Sequence, residues 1–372
     1  MIYLDNAATS FPKPRCVIEE LYRCVCEYCG NSGRSSHAMS RFTSERIYDA
    51  REAIARHFST DAPESVIFTY NATYALNIAI KAFITDKCHV ITSDIEHNAV
   101  IRPLEAMSRK LGVSYSMFDT DGDVREEIIS KIRPDTRGII STLASNVTGK
   151  RIPLSVLCEV ADRYKLFLIV DASQCAGHEV ICLRENMPDA FCAPGHKGLF
   201  GIQGAGFSIF KSRERMNTII EGGSGSMSES ADMPLILPDG YEAGTISAPA
   251  IVTLLRGIEY IDSIGVDTVE MKIKSLTERL KMRLLSIRDC SIYSEGNGIV
   301  SFNIGNHPSH RIADMLDSRG VCTRSGLHCA PSAHRKLGTV NQGTVRASLS
   351  YFNTEKEIDA FYTLLKEIRD LL

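Results

Sequence analysis

The sequence has no long apolar run, no block of like charges and almost no net charge. Its longest strongly apolar stretch, Leu166 to Val170, is far shorter than the roughly 20 residues that a membrane-spanning helix needs. The N-terminal MIYLDNAATSFPKP has no basic segment followed by an apolar one, so no secretory leader is read there and a cytoplasmic protein is expected. A formal net charge of −3, with no basic patch, leaves no footprint for nucleic acid or an anionic membrane. Nucleotide motifs are missing too. There is no G-x-x-x-x-G-K-[ST], and GIQGAG lacks the G-x-G-x-x-G order. No internal repeat or low-complexity tract is present.

Cysteine, in contrast, is plentiful, with twelve in 372 residues. In a long chain without a leader they are expected to stay reduced and to serve mostly as small core residues. Cys26 and Cys29 form a C-x-x-C beside Cys24, but no second ligand pair at zinc spacing lies nearby. These cysteines fall at the end of an amphipathic helix predicted from about Pro14 to Tyr28. Apolar residues at 44% and charged residues at 23% suit a globular protein. The length exceeds what one core usually serves, so two domains in one unit are expected.

From about residue 41 helical and strand patterns alternate. Ile47, Ala50, Ile54, Ala55 and Phe58 share one helical face, and Val66 to Thr69 then reads as a strand. Helices at about 73–82, 99–111, 124–132 and 154–164 alternate with strands at 89–93, 113–118, 137–143 and 166–170. This rhythm predicts βαβ units and a mostly parallel sheet covered on both faces. Ligands of such sheets bind beyond the carboxyl ends of the strands. After Phe210 come a Gly/Ser-rich loop, a Pro-rich segment, and helices at about 250–264 and 267–285. A smaller α+β unit closes the chain, with strands near 299–303 and 345–349 and a final helix burying Ile358, Phe361, Leu365 and Ile368.

The chemistry-bearing residues stand after strands. LFLIVDASQ ends a buried strand with Asp171, and Lys197 follows 26 residues later in the Gly-rich APGHKGLFG. A lysine in an open loop can condense with a carbonyl carbon, and a strand-end carboxylate can keep a pyridine nitrogen protonated. Pyridoxal 5'-phosphate (PLP) requires that combination. By themselves, Asp171 is equally a turn or cap residue and Lys197 a solvated loop charge. TYNATYALN opens a helix whose N-terminal N–H groups can seat a phosphate, with the Thr73 hydroxyl beside them. DIEHNAV places His97 where it can stack on a flat heterocycle, and LASNVTG places Asn146 where its amide can bond a substrate or cofactor oxygen. Arg346, in TVRASLS, offers a fork suited to a carboxylate. RSGLHCAP sets Cys329 between a short strand-like run and a segment with no helical pattern. The C-x5-H-C-x4-H spacing of Cys322, His328, Cys329 and His334 matches no common zinc pattern, so no metal is expected.

The set YLDNAATS, FTYNATYALN, EHNAV, SNVTG, VDASQ, GHKGLFG, YEAGT, RSGLHCA and VRASLSYFNT runs in order along nearly the whole chain. It resembles the class V, fold-type I PLP enzymes and, within them, the cysteine desulfurases and selenocysteine lyases of the group II (Suf) type. The resemblance implies an α/β fold, with a large domain built on a mostly parallel seven-stranded sheet between helices and a smaller C-terminal α+β domain. Residues 1–14 would pack with the small domain, 15–248 would form the large PLP-binding domain, and 249–372 the small domain carrying the sulfur-accepting cysteine loop. Lys197 matches the cofactor-linking lysine, Asp171 the pyridinium partner, His97 the stacking ring and Gln174 the partner of the phenolic oxygen. Ala72, Thr73 and His196 match phosphate ligands, and Thr245 matches one donated by the second subunit of a homodimer. Asn146 and Arg346 match the pair that holds the substrate carboxylate, and His37 and Arg324 are further substrate-binding candidates. Cys329 matches the thiol that takes the sulfur, with His328 and Arg324 as neighbours that would favour its thiolate.

The implied activity converts L-cysteine to L-alanine and leaves a persulfide on Cys329, in a short flexible segment, for a sulfur-acceptor protein of unknown identity. L-Selenocysteine lyase, class V C–S β-lyase and aminotransferase activities remain open on the same cofactor. A zinc-binding or scaffold protein is the non-enzyme alternative, and intact Lys197 and Asp171 count against it. The sequence also departs from the family pattern. Pro194 stands where a phosphate-binding serine is usual and Ala72 replaces a small hydroxyl residue, so phosphate anchoring is expected to be rearranged. Leu327 replaces the first histidine of TGHHCA, and HCAPSAH adds Pro331 and His334. The short stretch before YLDNAAT is expected to lack an N-terminal partner-binding helix.

Overall fold

The computed structural model describes residues 1–33, 35–211 and 217–372. In chain order the first elements are β1 (Ile2–Tyr3), α1 (Arg15–Arg23), a π turn at Cys24–Tyr28, α2 (Ala38–His57), β2 (Val66–Thr69), α3 (Ala72–Phe83), β3 (His89–Ser93) and α4 (Asn98–Leu111). Next come β4 (Ser114–Phe118), α5 (Val124–Ser130), β5 (Thr136–Thr142), α6 (Leu154–Tyr164), β6 (Phe167–Asp171), β7 (Ala190–Pro194) and β8 (Gly206–Phe210). The remainder is α7 (Ala248–Ile264), α8 (Val266–Leu285), β9 (Cys290–Gly296), β10 (Ile299–Ile304) and α9 (Ser309–Asp317). It ends with β11 (Val321–Cys322), β12 (Arg324–Gly326), α10 (Pro331–Lys336), β13 (Thr344–Ser348) and α11 (Glu355–Leu371).

The large sheet has the order β2-β8-β7-β6-β5-β3-β4, and only β8 runs against its neighbours. Every residue of β3, β7 and β8 is buried. That burial on both faces suits strands that show no regular alternation of polar and apolar residues. One face packs on a core that includes Ile54 of α2, Leu157 of α6 and Leu254 of α7. The other packs on Leu76 of α3 and Leu104 of α4. The crossovers place all the carboxyl ends of the parallel strands on one edge, where the site lies.

A second core joins Leu276, Leu280 and Leu284 of α8 to the four-stranded sheet β12-β13-β10-β9 and to Ile358 and Phe361 of α11. The N-terminal segment docks here: β1 pairs in parallel with β11, and Leu4 lies in this core. The boundary expected at residue 249 falls at the start of α7. Ile251, Leu254, Leu255 and Ile258 of α7 all bury into the larger core, and α8 divides its apolar face between the two.

Two local expectations change. The helix predicted to Tyr28 keeps α-helical bonding only to Arg23 and continues as the π turn. The segment after Cys329, which carries no helical pattern, is the helix α10. Pro331 starts it, as suits a first helical position, and six residues are too few for apolar periodicity to register.

Candidate active site

A cavity of about 430 Å³ opens at the carboxyl ends of the parallel strands. The segment after β2 contributes Asn71 to Tyr74, β3 leads to His97, β5 to Asn146, β6 to Asp171 and Gln174, and β7 to His196 and Lys197. The structure therefore gathers Lys197, Asp171, His97, Gln174, Ala72, Thr73, His196 and Asn146 around one space.

Asp171 is 3% exposed, and its Oδ1 accepts from the Ser173 N–H at 2.9 Å and the Ser173 hydroxyl at 2.5 Å. Burial pulls the Lys197 ammonium down to about 8; Asp171 opposes this, while Arg346 and Arg324 add to it. A lysine in that range supplies free amine near neutral pH, as carbonyl condensation needs. His97 caps α4 by accepting the Ala99 N–H on Nδ1 at 3.0 Å, which places any ring proton on Nε2. Burial lowers its pKa to about 4 against the pull of Asp171, so the ring that lines the cavity is neutral.

The opposite end of the cavity is the N-terminus of α3. Asn71 caps it through Oδ1 to the Tyr74 N–H at 3.1 Å, leaving the Ala72 and Thr73 N–H groups directed outward. Helix and sheet approach so closely here that a Cβ on Gly206 would lie 2.6 Å from the Asn71 carbonyl carbon. A free amine, a buried carboxylate, a neutral ring and a helix N-terminus share one cavity. These are the groups that an aldehyde-bearing, protonated pyridine with a phosphate tail would meet, so the donor set fits PLP. Pro194, standing where a serine hydroxyl is usual, is the buried end of β7 and offers no donor.

The small domain brings the thiol. Asn98 donates its backbone N–H to the Cys329 carbonyl at 2.7 Å, and Asn146 donates Nδ2 to the His328 carbonyl at 2.6 Å. Arg324 Nη2 lies 3.5 Å from Cys329 Sγ. Cys329 is thus fastened to the rim beside His97 and Asn146, and the expected flexible segment is a tied one. His328 offers the thiol no charge: burial lowers its pKa well below the ordinary value, and its Nε2 faces Thr344 at 3.1–3.2 Å.

Other candidate residues stand apart from this chain's own cavity or are already engaged. His37 is exposed, caps α2 through Nδ1 to the Ser40 N–H at 3.2 Å, and does not line the cavity. Thr245 is exposed and absent from this chain's own cavity. The Asn146 amide, expected to face substrate, is engaged by the Cys329 loop. Arg346 is 1% exposed and already paired, with Nη2 on Asp5 at 2.9 Å and Nη1 on the Asn146 carbonyl at 3.0 Å; its Nε has no partner among the described residues.

Three residues had no assigned role in the sequence. Asp5, inside YLDNAATS, neutralises Arg346. Lys13 donates Nζ to the His196 carbonyl at 2.8 Å, steadying the peptide beside Lys197, and burial lowers its pKa to about 8. Glu96 is fully buried beneath the cavity, with Oε1 accepting from the Ser93 hydroxyl at 2.5 Å and the Thr142 N–H at 2.8 Å. Burial pushes its carboxyl up to about 8. Strand-end position was the one signal available for Glu96, and it pointed at the neighbouring His97.

Comparison with known proteins adds the family. The family model described as aminotransferase class-V matches residues 2–361. A probable cysteine desulfurase of Methanothermobacter thermautotrophicus is 31% identical over 379 residues, covering 99% of this chain and 94% of the relative. A probable cysteine desulfurase of Halalkalibacterium halodurans is 29% identical over 388 residues, covering 100% and 93%. The solved structure of a cysteine desulfurase from Thermococcus onnurineus superposes with a TM-score of 0.92 at 26% identity, covering 100% of this chain and 95% of that one.

Proposed function

Because the chain belongs to the aminotransferase class-V family, whose chemistry depends on PLP, we propose that it is a cysteine desulfurase acting on L-cysteine. The observation that carries this is the fastening of Cys329 to the rim of the cavity that holds Lys197 and Asp171. When bound, PLP supplies an electron sink that acidifies the substrate Cα–H.

The chain supplies the rest. With PLP in the cavity, Asp171 would hold the proton on the ring nitrogen, His97 would cover the ring, Gln174 would serve the phenolic oxygen, and the α3 N-terminus with His196 would receive the phosphate. Arg346, whose Nε is left without a partner among the described residues, would take the substrate carboxylate, while Asn146 holds the Cys329 loop beside it. Lys197, with its lowered pKa, takes the Cα proton and returns a proton to the substrate skeleton. Cys329 Sγ, as thiolate, attacks the substrate sulfur: the S–S bond forms, the substrate C–S bond breaks, and its electron pair stays with the carbon skeleton that leaves as L-alanine. The persulfide on Cys329 then passes to a sulfur-acceptor protein.

The proposal includes a homodimer in which Thr245 serves the partner's site. Its support is the exposure of Thr245 away from this chain's own cavity, with exposed Tyr70 and Tyr74 at 52% and 45% beside the α3 N-terminus. It also includes a reducing, cytoplasmic setting, in keeping with twelve free cysteines.

The test is incubation of the PLP-loaded protein with L-cysteine and dithiothreitol, measuring sulfide and alanine for the wild type and Cys329→Ala. Equal sulfide and alanine, lost in the variant, is the expected result. Pyruvate in place of alanine would indicate a β-lyase, and full activity in the variant a selenocysteine-type lyase. Light scattering that returns a fully active monomer would overturn the dimer.

A further inference from the structure

The arm that carries Cys329 is tied to the large domain at three points, and the third takes no part in the reaction above. Asn146 holds the His328 carbonyl and Asn98 holds the Cys329 carbonyl. Two residues beyond Cys329 the chain enters α10, and the last residue of that helix, Lys336, reaches back across the domain boundary. Its Nζ donates to Asp94 at 2.7 Å, Asp119 at 2.5 Å and Thr120 Oγ1 at 3.1 Å, and lies 3.0 Å from Asp121. Asp94 directly follows β3, the strand that leads to His97, and the other three follow β4.

A single exposed ion pair contributes little, but this cluster is of another kind. Lys336 and Asp94 are only 22% and 19% exposed, and one ammonium serves three carboxylates. Burial by itself would lower the Lys336 pKa, yet hydrogen bonds to Asp119, Asp94 and Asp121 outweigh it and hold the pKa above its ordinary value. Removing the ammonium leaves carboxylates that repel one another at the point where the arm is fastened; Lys150, on Asp121 at 2.5 Å, offsets only one of them.

Between this latch and the thiol the arm is stiff. His334 of α10 is fully buried, bonds Thr339 Oγ1 through Nδ1 at 2.8 Å, and sets its ring 5.6 Å from that of His328. His328 and Cys329 have φ of 49° and 59°, a left-handed conformation that non-glycine residues keep only where their surroundings impose it. A displacement at Lys336 is therefore passed along α10 to Cys329.

We propose that Lys336 is a positioning residue for Cys329, latching α10 to Asp94, Asp119 and Asp121 so that the thiol stays at the cavity rim in register with the substrate sulfur. This rests on the reading of Cys329 as the sulfur acceptor. Lys336 touches neither substrate nor cofactor, so its loss acts on the sulfur-transfer step and spares substrate and cofactor binding.

The test uses PLP-loaded protein as wild type, K336M, K336R, D94N and C329A. It measures kcat and KM for alanine formation, cofactor absorbance, and the rate at which iodoacetamide alkylates Cys329, read on the modified peptide by mass spectrometry. For K336M we expect kcat to fall about 5- to 30-fold, as a perturbation of one or two kcal/mol implies. KM and cofactor content stay unchanged, and Cys329 alkylates faster. K336R regains most of the loss, and high salt lowers kcat in the wild type more than in K336M. D94N shows the same split more weakly and carries the test should K336M fail to fold. Unchanged kcat and alkylation in K336M, or a loss that follows cofactor content and is not regained in K336R, would overturn the latch. C329A separates the two ideas: full activity in C329A removes the sulfur-acceptor reading, whereas an inactive C329A beside a normal K336M removes only the latch.

Discussion

The floor of the cavity and the arm that closes over it are built by opposite means. Floor residue Asp171 ends β6, and Asn146 and His97 stand on the turns that follow β5 and β3 of the same sheet, so a shared ladder sets their heights and spacings. The arm has no ladder through His328 and Cys329. Its backbone is left-handed there, and its position depends on bonds to Asn98, Asn146 and the aspartates beyond β3 and β4. A floor of this kind is rigid by default, because moving one side chain means breaking the sheet. The arm is rigid only while distant polar groups hold it, which makes it adjustable without cost to the fold.

Changes to the floor should therefore be larger and less selective. Lys197→Ala removes both the cofactor-linking amine and the proton carrier, and alanine formation should drop about 10³-fold or more, with loss of the visible absorbance of the linked cofactor. A variant that kept that absorbance would place the linkage elsewhere. Gly206→Ala is next. The new Cβ would meet backbone rather than a movable side chain, so α3 must shift from the sheet, at about 1–3 kcal/mol in denaturant unfolding. PLP affinity should weaken with it, since the phosphate seat is the end of that helix. Unchanged affinity would separate the seat from α3.

Glu96 gives the floor a pH response of its own. The folded protein keeps this carboxyl protonated up to about pH 8, whereas an unfolded chain releases the proton near 4.5. The folded state therefore holds more protons between those values. Stability contributed by Glu96 is fully present below 4.5, falls as pH rises toward 8, and is flat above. Glu96→Gln should remove that slope, so that the variant gains on the order of 3 kcal/mol relative to wild type between pH 5 and 8. Parallel profiles for the two proteins would mean the carboxyl is ionised throughout.

The same contrast explains what the sequence made legible. Strands β2 to β6 announce themselves as apolar runs between helical patterns, and a residue just past such a run lies where ligands bind. That is how Asp171 and His97 could be singled out, whereas Lys197 stood out as the lysine of a Gly-rich turn. β7 and β8 were missed because Ala, Cys, Pro and Gly fill the stretch around the lysine and blur the strand pattern. On the arm little was visible beyond the thiol. Asp5 meets Arg346 from 341 positions away and Lys336 meets Asp94 from 242, distances over which no local spacing rule operates. His37 was counted among the substrate-binding candidates, yet its ring is occupied in capping α2. Asn146 lines the cavity, but its amide serves the arm.

The smallest effect should come from the middle of the arm, and it tells support of the arm apart from chemistry. His334→Phe keeps a flat ring in a fully buried place but loses the bond to Thr339 Oγ1, which is then left without that partner; the cost at pH 7.5 should be about 1 kcal/mol. Burial holds the His334 pKa near 4, against 6.5 for an exposed imidazole. The unfolded state thus binds the extra proton first, and the stability that neutral His334 contributes is present above pH 6.5 and lost as pH falls toward 4. Phenylalanine carries no such proton, so the gap between variant and wild type should close as pH drops to about 5. If His334 only supports the arm, KM for L-cysteine and cofactor content stay at wild-type values across this range, and kcat follows the stability of the arm. A kcat profile that instead lost an ionisation in the variant would make His334 part of the proton traffic at Cys329, and the arm would then share in the chemistry assigned here to the floor.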